Sequence, residues 1–144
     1  MRLPRDRFDY SAIVDRKPLE LPGKARVAVW TIVNVEEWDI QQAMPRGVLP
    51  APAGARVIPD VPNWAWHEYG MRVGFWRIKA ALDRYRVKAT MAVNASVCLS
   101  YPQIAGAARE ADWEFMGHGY IQQALHLAED QREVIRKSVE TIRD

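Results

Sequence analysis

Three short apolar runs, Arg26 to Val35, Lys88 to Asn94 and Trp113 to Met116, constrain this chain more than any other feature, because each is followed by a break and then by helical spacing or a long loop. The first run is too short and too rich in Val and Ile to prefer helix, so it reads as a buried strand. From Glu68 to Tyr85, the residues Phe75, Ile78, Leu82 and Tyr85 fall on one stripe, the pattern of a helix that buries one face. Pro102 opens a short Ala-rich helix over Gln103 to Ala111, as proline does at a first helical turn. A last helix is expected over Glu129 to Arg143, with Ile135, Ser138 and Ile142 on one side. The order β, long loop, α, β, α, β, α makes right-handed parallel βαβ units the natural architecture.

The 144 residues are 49% apolar and include six Trp, enough for the core of a single domain. Residues 1–24 read as an irregular arm and residues 25–144 as the α/β domain. A closed eight-unit barrel takes about 250 residues, so the expectation is either a small open α/β domain or the first half of a barrel. Twenty Lys and Arg are interspersed with 18 acids, without the basic stripe that grips a phosphate backbone, and nucleic acid is not expected as a partner. No secretory apolar segment opens the chain and no run reaches the roughly 18 apolar residues of a membrane span, so a cytoplasmic protein without a membrane partner is expected. The lone Cys98 lies in the apolar run Ala95 to Leu99 and reads as a packed thiol.

Chemistry is expected at the ends of the strands, where βα enzymes keep it. The first run ends in Asn34-Val35-Glu36-Glu37-Trp38 and the third in Gly117-His118-Gly119-Tyr120. Successive strand residues point to opposite sides, so only one of Glu36 and Glu37 can face a given pocket. Either one Glu acts as base and the other as ligand or hydrogen-bond acceptor, or the strand has reached solvent and both are wet. The glycines flanking His118 let the backbone turn and approach a ligand; the alternative is a His merely hydrogen-bonded in a loop. Gln122 follows His118 at i+4 and His126 at i+8, one face if the segment is helical. His118 and His126 would then stand roughly 12 Å apart, too far to share a metal. The loop from Trp38 to His67 holds five of the nine prolines and is longer than compact domains usually carry without a purpose. At its end, Trp64, Trp66, His67, Glu68 and Arg72 either line a substrate pocket or cap the core.

Four strings taken in order resemble one family. They are Pro22-Gly-Lys-Ala-Arg-Val-Ala-Val, then Asn34-Val-Glu-Glu, then Glu68-Tyr-Gly-Met-Arg-Val-Gly-Phe-Trp-Arg77, then Glu114-Phe-Met-Gly-His-Gly-Tyr120. Together they resemble the polysaccharide deacetylase superfamily, and within it most nearly the branch of allantoinase-like and cyclic imide hydrolase-like enzymes, over roughly residues 20–144. The resemblance implies the N-terminal half of a distorted (β/α) barrel and hydrolysis of non-peptide C–N bonds, in a small cyclic amide, ureide or imide or in an N-acetyl group on a sugar. It places Glu36 at the catalytic base position, and the leading expectation is that Glu36 or Glu37 activates water while His118 orients or protonates the nitrogen leaving group. It puts Glu37 and His118 at metal-ligand positions, with Gln122 where the family carries a third, histidine ligand. Trp64, Trp66, His67, Glu68, Arg72, Tyr120 and Gln122 are then the expected substrate contacts. A neutral amide is a weak ligand for a zinc-like ion, so a divalent metal is the cofactor the resemblance implies while the residues favour none tightly bound. The family's later motifs have no counterpart before Asp144. A half barrel exposes strand edges and an apolar face, so a homo-oligomer or a complementary C-terminal half is expected as partner, and the competing reading is a truncated or split subunit without activity of its own.

Overall fold

The computed structural model describes residues 7–51, 54 and 57–144; the first six residues of the arm, and Pro52 in the proline-rich loop, lie outside the described residues. Three four-residue strands, β1 (Ile32–Val35), β2 (Thr90–Val93) and β3 (Glu114–Gly117), form one sheet in the order β1-β2-β3. Both pairings are parallel, with Val33 opposite Met91 and Met91 opposite Phe115. The chain is therefore α/β, a parallel sheet with flanking helices, as the periodicity implies. Strand β1 is shorter than the apolar run from Arg26, and Val27 and Val29 stand exposed. The reason is register: β2 offers partners only as far as Thr90, whose amide bonds the carbonyl of Thr31.

The helices are α1 (Val61–Tyr69), α2 (Phe75–Arg84), α3 (Val97–Ser100), α4 (Pro102–Glu110) and α5 (Gln131–Arg143). Helical structure begins seven residues before the expected Glu68, inside the proline-rich loop. Asp60 caps α1 by accepting from the Asn63 amide, and Pro62 sits in the first turn, a start signal of Asp followed by Pro. Asn63 in turn ties the loop down, its Oδ1 accepting from the amides of Val48 and Leu49 at 2.8 Å. Between α1 and α2 the chain widens into a π turn, Gly70–Gly74. The expected stripe holds only partly: Phe75 is buried and Leu82 packs on the core, whereas Ile78 and Tyr85 are exposed. None of the described helices is long and apolar enough to cross a membrane.

Sheet parity separates two faces. Val33, Val35, Met91 and Val93 join Met71, Phe75, Val97, Ile104, Ala108 and Trp113 in the core between sheet and helices. The opposite face carries the rows Ile32-Thr90-Glu114 and Asn34-Ala92-Met116. At its lower edge Trp30 Nε1 donates to Thr90 Oγ1 (2.8 Å), which donates to Glu114 Oε2 (3.0 Å). Among the described residues β1 and β3 are edge strands.

Candidate active site

Continuing the same parity by one step brings Glu36, Asn94 and His118 to the C-terminal ends of three adjacent strands on one face. The ladder runs on through Asn94 N–H to Val35 O (3.0 Å) and His118 N–H to Val93 O (2.9 Å). Glu36 Oε1 lies 3.9 Å from His118 Nε2, beyond a hydrogen bond, so neither group is committed to the other. The Glu36 side chain is 12% exposed and that of His118 38%. Glu36 lines a cavity of about 400 Å³ with Arg46, Trp38, Trp66, His67 and Tyr69, and His118 lines one of about 450 Å³ with Tyr120, Leu125 and residues of α5.

Asn94 holds this row together. It is 0% exposed; its Oδ1 accepts from the Glu37 amide (2.9 Å) and its Nδ2 donates to the His118 carbonyl (2.5 Å). One side chain thus ties the loop after β1 to the loop after β3. Gly119 turns that second loop with φ +84°, a conformation glycine adopts without strain, and its carbonyl accepts from the Ala95 amide. The sequence singled out Glu36 and His118 but gave Asn94 no role; a polar residue ending a run otherwise as apolar as Thr90 to Val93 is the signal that marks it.

Glu37 faces the other way. Its carboxyl lies near Ser100 of α3, burial pushes its pKa up against the lowering influence of Ser100 and His67, and its Oε2 is buried without a partner. Trp38 is buried and its Nε1 donates to Glu36 Oε2 at 2.9 Å. Exposed Arg46 reaches Glu36 Oε1 at 3.7 Å.

Several residues expected to meet substrate are engaged within the protein. His67 is buried and its Nε2 lies 2.6 Å from the Glu36 carbonyl. Glu68 accepts from Tyr101 Oη and from Arg72 Nε (2.7 Å). Desolvation alone would raise the Glu68 pKa, but the Tyr101 and Arg72 hydrogen bonds outweigh it and hold the carboxyl below its ordinary value; burial and the same bond push the Tyr101 phenol up. Trp66 does line the first cavity, whereas Trp64 is half-buried outside its lining. Tyr120 lies under Lys137 Nζ, 3.8 Å from the ring centroid. Residues 118–124 form no helix, so the i+4 placement of Gln122 fails; its backbone amide instead donates to the Glu37 carbonyl (2.9 Å). His126 is exposed on the short turn Leu125–Leu127. Cys98 is half-buried and burial raises its pKa, the opposite of an activated thiol.

The metal ligands implied by the resemblance do not converge. Glu37 and His118 point into different surroundings, Gln122 supplies a backbone contact, and among the described residues no group of three or more His, Cys, Asp or Glu is placed to hold an ion. The donor set does not fit a zinc-like ion.

A parallel three-stranded sheet with flanking helices defines the class, a partial (β/α) barrel, with Glu36 and His118 facing each other at its strand ends. The comparisons with known proteins agree. No family model matches the chain. It is 28% identical over 142 residues to a protein of Schizosaccharomyces pombe named "Putative polysaccharide deacetylase", covering 90% of this chain and 43% of that one. In fold it matches the Puue allantoinase with a TM-score of 0.74 at 23% identity, covering 94% of this chain and 50% of the other. A probable polysaccharide deacetylase from Pseudomonas aeruginosa PAO1 follows at 0.69 and 23%, with 94% and 49% covered. The chain resembles the polysaccharide deacetylase superfamily in sequence and carries the N-terminal part of its fold. It spans about half the length of the relatives it matches.

Proposed function

We propose that this chain contributes the acid/base groups of a hydrolase acting on non-peptide C–N bonds, in a small cyclic amide, ureide or imide or in an N-acetyl group. The facing of Glu36 Oε1 and His118 Nε2 at 3.9 Å carries the reading, supported by the names of the relatives. Glu36 takes a proton from water as the oxygen attacks the carbonyl carbon. The tetrahedral intermediate collapses with the C–N bond breaking, and His118 delivers a proton to the departing nitrogen. Oε2 is held by Trp38, so Oε1 is the oxygen left to act as base. Turnover of allantoin, hydantoin, succinimide or N-acetylglucosamine oligomers by the purified chain, lowered at least ~100-fold in Glu36→Gln and His118→Ala, is the expected result. A folded chain inert toward the whole panel, both alone and with the C-terminal half of a relative added, refutes it.

A second reading rests on the open edges of β1 and β3: the site is completed by another copy or by a complementary polypeptide. Light scattering on the purified chain tests the first form. Turnover that appears only on adding the C-terminal half of a relative supports the second.

A further inference from the structure

We propose that His67 and Trp38 form a positioning clamp that fixes Glu36 at both its ends and presents one chosen oxygen, Oε1, to His118. The inference rests on the reading of Glu36 as the base.

A glutamate just beyond a strand end has three side-chain torsions free to wander, and ordering them costs rotamer entropy. Here one donor holds the side chain and a second holds the main chain it hangs from. The Glu36 carbonyl can only accept, so His67 Nε2, 2.6 Å away, carries the proton and donates. That bond links residues 31 apart and pins the main chain of Glu36 to α1. The side-chain end is pinned by Trp38 Nε1, which donates to Oε2 at 2.9 Å.

The two donors are also joined to each other. The imidazole of His67 stacks on the Trp38 indole, centroids 5.3 Å apart and planes 19° from parallel, and Trp66 backs the indole at 5.9 Å. Both clamp residues are buried, His67 at 6% and Trp38 at 4% exposure. His67 is seated on a fixed base, because the next residue, Glu68, is bonded to Arg72 of the π turn and to Tyr101. With Oε2 and the carbonyl occupied, Oε1 remains, 3.9 Å from His118 Nε2 and 3.7 Å from Arg46 Nη2. Such pre-set geometry is worth rate without new substrate contact, since misplacement by an ångström costs up to about 100-fold.

Three substitutions separate positioning from packing. Trp38→Phe keeps a ring and loses the donor to Oε2; His67→Phe keeps the stack and loses the donor to the carbonyl; His67→Gln restores an N–H at the end of the side chain without the ring. The clamp predicts that kcat falls roughly 10- to 100-fold in the two Phe variants with KM within about twofold, and that His67→Gln recovers part of the loss seen in His67→Phe. Wild-type kcat in Trp38→Phe, or equal loss in His67→Gln and His67→Phe, overturns it. The second readout needs no turnover: hydrogen exchange of the Trp38 indole proton by NMR. Slow exchange in the wild type, accelerated in both Glu36→Ala and His67→Phe, supports the clamp even if every substrate fails and the hydrolase reading falls. Exchange unchanged in His67→Phe overturns the clamp even if the enzyme is active.

Discussion

Replacing Asn94 by Ala tests whether the row Glu36-Asn94-His118 is held by one side chain. Two hydrogen bonds disappear at once, from the Glu37 amide and to the His118 carbonyl. Each is worth about 1 kcal/mol net, and leaving its partner unpaired in a dry site raises the loss to as much as ~3 kcal/mol. Asn94 is fully buried, but Glu37 is only half-buried and His118 exposed, so water can reach the abandoned groups and the lower half of that range applies. The sum is about 2–4 kcal/mol. With a urea m-value near ~2 kcal/mol per M, the unfolding midpoint moves down by roughly 1–2 M. Asn94→Asp is the sharper probe: it keeps an acceptor for the Glu37 amide but sets a carboxylate oxygen against the His118 carbonyl, so it is expected to be no more stable than Asn94→Ala at neutral pH. A midpoint for Asn94→Ala within ~0.25 M of the wild type, with the slope unchanged, refutes the argument that this side chain joins the two loops.

Glu37 and Glu68 give opposite pH signatures. The Glu37 pKa is raised above 4.5 by burial, so the folded state holds its proton longer than the unfolded one and stability falls as pH rises above that value. Glu37→Gln should therefore gain on the wild type between pH 4 and pH 7 in urea titrations; a constant difference refutes the assignment. Glu68 is depressed below 4.5, its burial outweighed by Tyr101 and Arg72, so its contribution is present above that pH and lost on acidification. Tyr101→Phe is expected to cost about 1–3 kcal/mol at pH 7 and distinctly less at pH 3, read from denaturation midpoints. Phe75→Ala empties the core beside Trp113, whose ring lies 5.9 Å away, and should cost about 3–5 kcal/mol; a loss below ~1 kcal/mol means that the α2 face is not packed as described.

The parallel fold was legible because it depends on runs of apolar residues, and those runs survive as β1, β2 and β3 with core partners such as Met91 and Val93. The boundaries were not, because they depend on partners. Arg26 to Thr31 has strand composition, yet a strand exists only where β2 supplies a ladder, and β2 is four residues long. The start of α1 was hidden by reading prolines as loop, although Asp60 followed by Pro62 is a helix-start signal. At the site, Glu36, Glu37 and His118 stood out as ionisable groups beyond apolar runs. Sequence spacing could not show that His67 serves Glu36 rather than a substrate, because that contact spans 31 residues. Nor could it show that Gln122 leaves helical register, since the loop is shaped by Asn94 and Gly119 rather than by its own periodicity.

Two adjacent glutamates therefore end in unlike surroundings for one geometric reason. The pleat sends Glu36 to the face carrying Asn94 and His118, where Trp38 and Arg46 stand against its carboxylate. It sends Glu37 toward α3, where Ser100 offsets burial only in part and one oxygen has no partner. A one-residue slip of β1 against β2 would exchange the two, putting the poorly satisfied carboxylate opposite His118 and the other into the core. The register is guarded against that slip by Val33 and Val35 packing beneath the sheet and by Asn94, whose bonds to the Glu37 amide and the His118 carbonyl exist in one alignment only. Identity of the proposed base is thus tied to strand register, so under that proposal a substitution that loosens register, such as Val35→Gly, is expected to lower activity more than its loss of stability alone accounts for. Activity measured well below the unfolding midpoint, compared with the fraction folded, checks this; strict proportionality between the two would show that register and base identity are not coupled.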